Sequence, residues 1–256
     1  METNTAAALA LNQQRIIPFK GIPNARELGT CRIAAGGSKQ VKRGLLYRSG
    51  ELAVHTDRDR RILEELGIKT VVDFRSEEEK KISPEVMPGT VRRLEELPID
   101  AGNLMGTLYS AEEGWTYAST ASGAVADMEK LYTALPQEAL EKYRVLFSLL
   151  ADPENAPLLF HCSAGKDRTG LAAALVLHAL GADRETVMED YLLSALCLRE
   201  RLLSPGVDPR AVPYWTVQES YLRAAFVKIE DYGGMDRYIA GELGADVEHL
   251  RKLYTE

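Results

Sequence analysis

The chain has 256 residues, 45% of them hydrophobic and 27% charged, so it is long enough to bury a full core within one domain. Its formal net charge of -7 at pH 7 argues against a nucleic-acid partner, because proteins that bind nucleic acid neutralise its phosphates with basic patches. The three cysteines are sparse and odd in number, which indicates neither a disulfide framework nor a zinc site. We therefore expect one domain over residues 1–256, in a reducing compartment.

The N-terminus carries no recognisable targeting signal. Residues 1–14 are rich in Ala, Asn and Gln and lack the basic region and long apolar run of a signal peptide. No later stretch stays apolar for about twenty residues, so no integral membrane segment is expected. The sequence predicts a loose arm over 1–14 and a cytoplasmic protein; secretion by a route without a signal peptide would leave no such mark.

The first hundred residues alternate between strand and helix patterns. Two short runs on either side of Gly36-Gly37 predict a hairpin over 30–33 and 40–42. Further strands are predicted at 45–48, 68–75 and 91–99, and helices at 56–66 and 76–81, the first with Thr56 as its N-cap and Gly67 as its stop. This alternation is typical of an α/β fold with a largely parallel sheet.

Two regions depart from that alternation. Residues 101–136 mix small residues with four aromatic ones, and a segment this long between core elements is often a lid or substrate-binding insertion. A plain helical excursion fits the same residues. We interpret 101–136 as a lid-like insertion. Residues 182–256 are predicted to be a helical C-terminal part, with breaks at 205–213 and at Gly233-Gly234.

Between these regions the pattern predicts a strand that leads directly into a helix. A helical period covers 136–150, and the short apolar run at 157–161 suits a buried central strand. Residues 168–180 are apolar almost throughout, which predicts a helix packed deep in the domain. The segment from 161 to 170 therefore lies on a turn from strand to helix.

This segment reads His-Cys-Ser-Ala-Gly-Lys-Asp-Arg-Thr-Gly. A loop that enters a helix N-terminus can direct its backbone N–H groups at an anion, and the positive end of the helix adds to the attraction. Gly165 allows the loop to bend. A thiol in such an electropositive loop is favoured as the thiolate, the attacking species, so Cys162 is the candidate nucleophile. The candidate phosphate-binding residues are Ser163, Ala164, Gly165, Lys166, Asp167 and Arg168.

Charged side chains of the loop suggest further catalytic roles. Arg168, in the first turn of the helix, can hold two phosphate oxygens with its planar fork. Charge develops on the leaving oxygen, so a proton donor is valuable, and Asp167 is the nearest candidate. Asp100, at the end of a predicted strand, and Asp73 are the second and third candidates. A helix-dipole role for Asp167 stays open as an alternative to catalysis.

Two further side chains of the loop have candidate supporting roles. The hydroxyl of Thr169 can hydrogen-bond the cysteine sulfur and ease departure of the phosphocysteine. Lys166 adds a cation at the pocket rim and would favour multiply charged substrates, whereas a solvated surface lysine is the alternative.

The segment begins with His-Cys, followed by five residues, Arg and Thr, and this pattern resembles the signature of the protein tyrosine phosphatase superfamily. Three upstream segments, at 23–29, 47–52 and 71–79, resemble its bacterial branch related to the secreted mycobacterial type, so the resemblance spans most of 20–180. It implies a three-layer cysteine-phosphatase fold, whose central, mostly parallel sheet of about four or five strands is flanked by helices. It also implies hydrolysis through a cysteinyl phosphate and no metal or other cofactor.

The resemblance implies a phosphorylated partner: phosphotyrosine proteins first, with phosphoserine or phosphothreonine proteins and phosphoinositides in addition. Lys166 resembles the lysine of the phosphatase-and-tensin homologue, and Asp167 resembles the aspartate of the myotubularins, which keeps a lipid substrate open. The chain lacks the Trp-Pro-Asp loop of the better-known tyrosine phosphatases, so the general acid stays open between Asp167, Asp100 and Asp73, in that order.

Two other functions compete with this interpretation. A nucleotide-hydrolysing P-loop is excluded, because its pattern requires Gly where Phe160 stands and Ser or Thr where Asp167 stands. A catalytically weak module that binds phosphoproteins or phospholipids is the remaining alternative, and the intact Cys162 and Arg168 argue against it.

The residues around the loop are expected to act structurally. Strand alternation points His161 away from the pocket, where it would order the loop by hydrogen bonding. Cys31 and Cys197 are also expected to be structural. A polar network at the strand ends is expected from Asn24, Arg26, Asp73 and Arg75.

Overall fold

The computed structural model describes residues 13–33, 39–52, 56–100, 118–199 and 208–256, together with the backbone of 109–110 and 114–115. Most of the predicted N-terminal arm, the tip of the predicted hairpin and the first half of the lid-like insertion therefore lie outside the described residues. None of the described helices combines the length and the apolar character needed to cross a bilayer.

A five-stranded, mostly parallel sheet forms the centre of the described structure. The strands are β1 (Arg26–Glu27), β2 (Leu46–Ser49), β3 (Thr70–Asp73), β4 (Arg93–Glu96), β5 (Tyr109–Ser110), β6 (Gly114–Trp115) and β7 (Leu158–His161). The order in the central sheet is β1-β2-β7-β3-β4, and only the pairing of β1 with β2 is antiparallel. A separate antiparallel pair is formed by β5 and β6. The α/β fold with a largely parallel sheet of four or five strands is confirmed.

Helices cover both faces of this sheet, which gives three layers. They are α1 (Asp57–Leu66), α2 (Glu77–Ile82), α3 (Ala121–Glu138), α4 (Leu140–Leu150), α5 (Arg168–Leu180), α6 (Arg184–Cys197), α7 (Val212–Trp215), α8 (Glu219–Glu230), α9 (Met235–Arg237) and α10 (Val247–Tyr254). A 3₁₀ turn (Pro153–Asn155) and a π turn (Tyr238–Glu242) complete the set.

The alternation of side chains along β7 explains its central place. Leu158 and Phe160 join the large core cluster beneath α3 to α6, whereas Leu159 joins the smaller cluster on the opposite face, beside Leu63 of α1. A strand buried on both faces needs a continuous apolar run, as its sequence has. The next element, α5, buries every residue except His178, which explains its almost wholly apolar sequence.

Local signals in the sequence set several element boundaries correctly. The Thr56 side chain accepts a hydrogen bond from the Asp59 amide and caps α1, and Gly67 ends that helix in the left-handed conformation, φ 61°. Ser76 and Glu79 form a reciprocal capping box at the start of α2. These elements match their predicted positions closely.

Other boundaries differ from the prediction for physical reasons. The helix predicted at 136–150 is divided at Ala139, and Pro136 belongs to the last turn of α3, because Tyr132 and Leu135 hold that turn in the core. The two predicted hairpin runs do pair, through the antiparallel bridge between Arg32 and Gln40 and through backbone hydrogen bonds between residues 30–33 and 39–41, but they form no regular strands among the described residues.

The described half of the lid-like insertion is largely helical. Its helix α3 buries Met128, Leu131 and Tyr132 in the large core cluster, and it packs closely against α8. A lid role for the remainder of 101–136 stays a prediction, as does the assignment of residues 1–256 to one domain.

Candidate active site

Residues 162–167 form a loop between β7 and α5, at the carboxyl edge of the central parallel strand. Ligands of open α/β sheets bind at this edge. The loop packs tightly on the end of β2: Gly165 has φ +67°, and a Cβ on it would lie 2.3 Å from the Ser49 carbonyl oxygen. A Cβ on Gly50 would similarly lie 2.7 Å from the Ser163 carbonyl oxygen. Both positions therefore require glycine.

The carbonyl groups of this loop are held from outside. The Ser163 carbonyl accepts from the Glu51 amide at 3.0 Å, and the Ala164 carbonyl accepts from the Asn24 side chain at 3.2 Å. The Gly165 carbonyl accepts from both the Asn24 side chain, at 2.9 Å, and Arg48, at 2.7 Å. The next three carbonyls, of Lys166, Asp167 and Arg168, accept from the Tyr132 hydroxyl at 3.4 Å, the Leu171 amide at 2.8 Å and the Tyr143 hydroxyl at 2.9 Å. A trans peptide places each carbonyl opposite the following N–H. Because these carbonyls are bound on the outer side of the loop, the amide N–H groups that follow them face the inner side of the loop.

The amide groups of residues 163–168 donate no hydrogen bond to any other group in the described part of the chain. Unpaired backbone donors at a helix N-terminus form a ready anion site. Cys162 lies at the start of this loop and is 2% exposed. Thr169 Oγ1 is buried and has no hydrogen-bond partner among the described residues. Its bond to the cysteine sulfur stays a prediction.

Arg168 is held by a carboxylate that the sequence prediction missed. Its Nη1 and Nη2 donate to Glu79 Oε2 and Oε1 at 2.7 and 2.6 Å, and Nη1 also donates to the carbonyls of Phe74 and Ile99. Burial lowers the pKa of Arg168, but the Glu79 bonds and the nearby Cys162 more than reverse this and raise it. The guanidinium is thereby fixed in one place as a permanent cation.

Glu79 joins three parts of the site. It accepts from Ser163 Oγ at 2.5 Å as well as from Arg168, and from the Ser76 amide at 2.8 Å. Burial raises the pKa of Glu79, but the bonds from Arg168 and Ser163 outweigh it and lower the pKa to about 2. The spacing Ser76-x-x-Glu79 was a usable signal, because a capping box places its glutamate at a helix start.

Asp167 lies in the loop with two hydrogen-bond donors on one oxygen. Lys166 Nζ and the Tyr132 hydroxyl each donate to Asp167 Oδ1 at 2.8 Å, and Tyr191 donates to the Tyr132 hydroxyl at 2.7 Å. Its side chain forms no capping bond at the start of α5, and the helix-dipole alternative stays open. Lys166 is 4% exposed, so it is not a solvated surface lysine.

The other two candidate acids lie in different surroundings. Asp73 is buried and accepts from Arg75, whose Nε and Nη2 lie 3.1 and 3.0 Å from its carboxylate. Asp100 is exposed and follows Ile99, whose carbonyl binds Arg168. Asp167 therefore lies in the loop itself, Asp100 lies next to the Arg168 contact, and Asp73 lies at the end of β3, paired with Arg75.

His161 is fully buried, with Nδ1 3.4 Å from the Cys162 carbonyl oxygen and Nε2 3.5 Å from Glu85 Oε2. Asp73, Glu85 and His161 are the one group of possible metal ligands among the described residues. Arg75 Nη2 lies 3.0 Å from both carboxylates, so a guanidinium already supplies the counter-charge there. We therefore assign no metal to these residues.

The predicted polar network is divided into two clusters. Arg75 pairs with both Asp73 and Glu85, whereas Asn24 contacts Ser194 and Arg26 contacts Asp190, both on α6. The second cluster lies against the loop, because Asn24 binds two loop carbonyls. Asp190 was missed by the sequence prediction, and its place within a long helix gives no local signal of this contact.

A cysteine and an arginine six positions apart, around an anion-binding loop between a central strand and a buried helix, define a phosphatase of the cysteine-dependent class. The chain belongs to the tyrosine phosphatase family, whose model matches residues 17–256. The family resemblance read from the sequence, and with it the assignment as a phosphoric monoester hydrolase, is confirmed.

Individual relatives cover nearly the whole chain. A Cupriavidus necator protein provisionally named a tyrosine-protein phosphatase is 35% identical over 97% of this chain and 91% of its own length. The triple specificity protein phosphatase PtpB of Mycobacterium tuberculosis is 34% identical over 86% of this chain and 94% of its own length. A tyrosine-protein phosphatase of Nostoc commune is 28% identical over 88% of this chain and 71% of its own length.

Replacing Glu79 with glutamine tests whether the Glu79 carboxylate keeps the Arg168 guanidinium in place for catalysis. Glutamine removes the charge, so we expect kcat/KM for an aryl phosphate to fall by ~10–100-fold, the equivalent of one charge-assisted hydrogen bond. Because the pKa of Glu79 is lowered in the folded protein, its contribution to stability is present above the ordinary carboxyl range and is lost as the pH falls toward about 2. Acid unfolding of Glu79→Gln should therefore be less steep over that range.

Glu78→Gln is the matched control, since Glu78 is an exposed neighbour on the same helix and should leave both measurements unchanged. Equal effects of the two substitutions on steady-state kinetics and acid unfolding would contradict the proposed contact.

Proposed function

We propose that this protein hydrolyses phosphotyrosine in proteins through a cysteinyl phosphate formed on Cys162. The observation that carries the proposal is the loop itself, with carbonyls bound outside and six amides without partners in the described chain. Such a loop can bind the three non-bridging oxygens of a phosphate monoester, with Arg168 as the side-chain clamp. Without that cradle, an anionic thiolate and a dianionic ester would repel each other.

In the first step the Cys162 thiolate attacks phosphorus, so a P–S bond forms as the P–O bond to the leaving group breaks. Asp167 donates a proton to the departing oxygen, which leaves as an alcohol or phenol. The close Lys166 gives Asp167 a cationic neighbour at 2.8 Å, and the Tyr132 hydroxyl orients the same oxygen. In this proposal Lys166 turns to the incoming phosphate, so Asp167 loses its cationic neighbour and takes up the proton that it then donates to the leaving oxygen.

In the second step water attacks the phosphorus of the phosphocysteine, the P–S bond breaks, and inorganic phosphate leaves. Asp167, now a carboxylate, accepts the proton of the attacking water. The unpartnered Thr169 hydroxyl donates to the departing sulfur. Arg168 and the loop amides hold the transferred phosphoryl group through both steps.

The range of substrates is proposed from the loop and the relatives together. The name of the Mycobacterium tuberculosis relative, a triple specificity phosphatase, supports acceptance of more than one phosphorylated group. Lys166 supports this too, because a buried cation next to the loop favours a substrate with additional negative charge, such as a phosphoinositide. Phosphotyrosine proteins are the principal proposed substrate, with phosphoserine or phosphothreonine proteins and phosphoinositides as further ones.

Three wider expectations stay predictions: a cytoplasmic location, a single domain over 1–256, and a lid formed by residues 101–136. The alternative function is a weakly catalytic module that binds phosphorylated partners. Such a module would bind phosphate with the same loop but would turn over little or no substrate.

Cys162→Ser should abolish turnover while leaving the cradle intact. We expect wild-type protein to hydrolyse a phosphotyrosyl peptide in the presence of EDTA, and Cys162→Ser to lose at least ~10³-fold in kcat because serine is a far weaker nucleophile at neutral pH. Phosphoseryl and phosphothreonyl peptides and phosphoinositides are assayed with the same pair of proteins by phosphate release. Cys31→Ser is the control.

Turnover that survives in Cys162→Ser, or that requires added magnesium, would overturn the mechanism. Wild-type protein that binds phosphotyrosyl peptide tightly without releasing phosphate would instead favour the binding module.

Asp167→Asn tests the general acid through its dependence on the leaving group. A nitrophenolate leaves without a proton, whereas an alkoxide requires one, so we expect Asp167→Asn to slow phosphoserine hydrolysis at least ~10-fold more than nitrophenyl phosphate hydrolysis. Asp100→Asn is the matched comparison and should slow both substrates by less than about threefold. A leaving-group dependence found in Asp100→Asn and missing in Asp167→Asn would transfer the role to Asp100.

A further inference from the structure

A buried cluster of charged residues lies directly behind the loop. Three arginines, Arg15, Arg26 and Arg48, surround the carboxylate of Asp190, at 2.8, 3.1 and 2.7 Å, and all four residues are at most 2% exposed. They come from the segment before β1, from β1, from β2 and from α6. The fold therefore gathers them from widely separated parts of the chain.

This cluster brings several charges together in the core. Three guanidiniums are held by one carboxylate, and burying charged groups is costly unless they are paired and hydrogen-bonded. Burial lowers the pKa of Arg48 to about 10, and the neighbouring charge of Arg26 adds to the shift. The Nε atom of Arg48 also has no hydrogen-bond partner among the described residues.

Arg48 connects the cluster to the loop with two different nitrogens. Its Nη1 donates to Asp190 Oδ2 at 2.7 Å, and its Nη2 donates to the Gly165 carbonyl oxygen at 2.7 Å. Asp190 thus fixes the plane of the Arg48 guanidinium, and this guanidinium in turn fixes the orientation of the Gly165 carbonyl. The peptide that follows Gly165 carries the Lys166 N–H, which is directed to the opposite, inner side.

A second path reaches the same carbonyl. Arg26 binds Asp190 and donates to Asn24 Oδ1 at 2.6 Å, which leaves the amide nitrogen of Asn24 to donate to Gly165 O at 2.9 Å. Asn24 has a left-handed backbone, φ 57°, so the chain adopts an uncommon conformation at this contact. Two donors, each set by Asp190, therefore converge on one carbonyl oxygen.

We propose that Arg48 is a positioning residue of the phosphatase: by holding the Gly165 carbonyl on the outer side, it keeps the loop in its anion-binding conformation. This rests on the proposed function of the loop. Asn24 shares the role.

The test measures the affinity of the whole protein for inorganic phosphate by calorimetry, which needs no turnover. Arg48→Met removes both contacts, and we expect the Kd for phosphate to rise by ~10–100-fold, as for a lost hydrogen bond to a charged group. Arg48→Lys keeps the charge but has one nitrogen for two partners, so an intermediate rise is expected. Thermal unfolding of each variant is measured alongside.

Two further variants separate positioning from general stability. Arg15→Met removes a guanidinium from the same carboxylate, at the side where Arg15 also binds the Glu27 carbonyl. It should change the phosphate Kd by less than about threefold even where it lowers the Tm as much as Arg48→Met. Asn24→Gly removes the second donor and tolerates the left-handed backbone, so it should raise the phosphate Kd without unfolding the protein.

Arg48→Met with a phosphate Kd within about threefold of wild type would overturn the inference, as would an equal rise in Arg15→Met. If Arg48→Met does not fold, Arg48→Lys and Asn24→Gly decide under the same limits. Wild-type protein that binds phosphate in an Arg48-dependent way and yet hydrolyses no ester would contradict the proposed function and support the role of Arg48.

Discussion

The loop between β7 and α5 has an arrangement that a protein interior ordinarily avoids, because six consecutive amides have no partner in the described chain. Such an arrangement persists only where the surrounding structure holds it. Here each carbonyl of residues 163–168 is held by a donor outside the loop, and Gly165 and Gly50 allow the loop to pack against the backbone of β2. The affinity for phosphate, the place of Arg168 and the setting of Cys162 all depend on this arrangement.

The charges around the loop are arranged in two layers. In the first, Glu79 pairs with Arg168, and Asp167 pairs with Lys166. Behind the loop, Asp190 holds three buried guanidiniums, and one of them, Arg48, binds the Gly165 carbonyl. In the proposed mechanism, an incoming phosphate exchanges partners with the first layer, while the second layer keeps the loop in place.

The sequence correctly predicted the features that depend on residues close together in the chain, such as buried elements and helix caps. The apolar run of β7, the buried helix α5, the Thr56 cap and the Gly67 stop follow from burial and capping, and the loop residues follow from the chemistry of a helix N-terminus. Glu79 was missed although its capping box was visible, because that signal predicts a helix start and not a contact with Arg168, 89 positions later. Asp190 and Tyr132 were missed because helix periodicity alone does not show which buried polar group meets which partner.

Two sequence-based interpretations changed for the same reason. Lys166 reads as a rim residue in the sequence, but packing around Tyr132 and Asp167 buries it to 4% exposure. The polar network expected at the strand ends is two clusters, since Asp73 and Arg75 lie on the Glu85 side of the sheet edge and Asn24 and Arg26 on the α6 side. Only the tertiary arrangement of strands and helices determines these partners.

The most direct test of the account is to trap the intermediate. Wild-type protein is mixed with a labelled phosphotyrosyl peptide, quenched in acid within milliseconds, digested and analysed by mass spectrometry. The account predicts a phosphate on the peptide that contains Cys162, formed in the first turnover and absent from Cys162→Ser. Hydrolysis with no label on Cys162, or a phosphate on another residue of the chain, would contradict it.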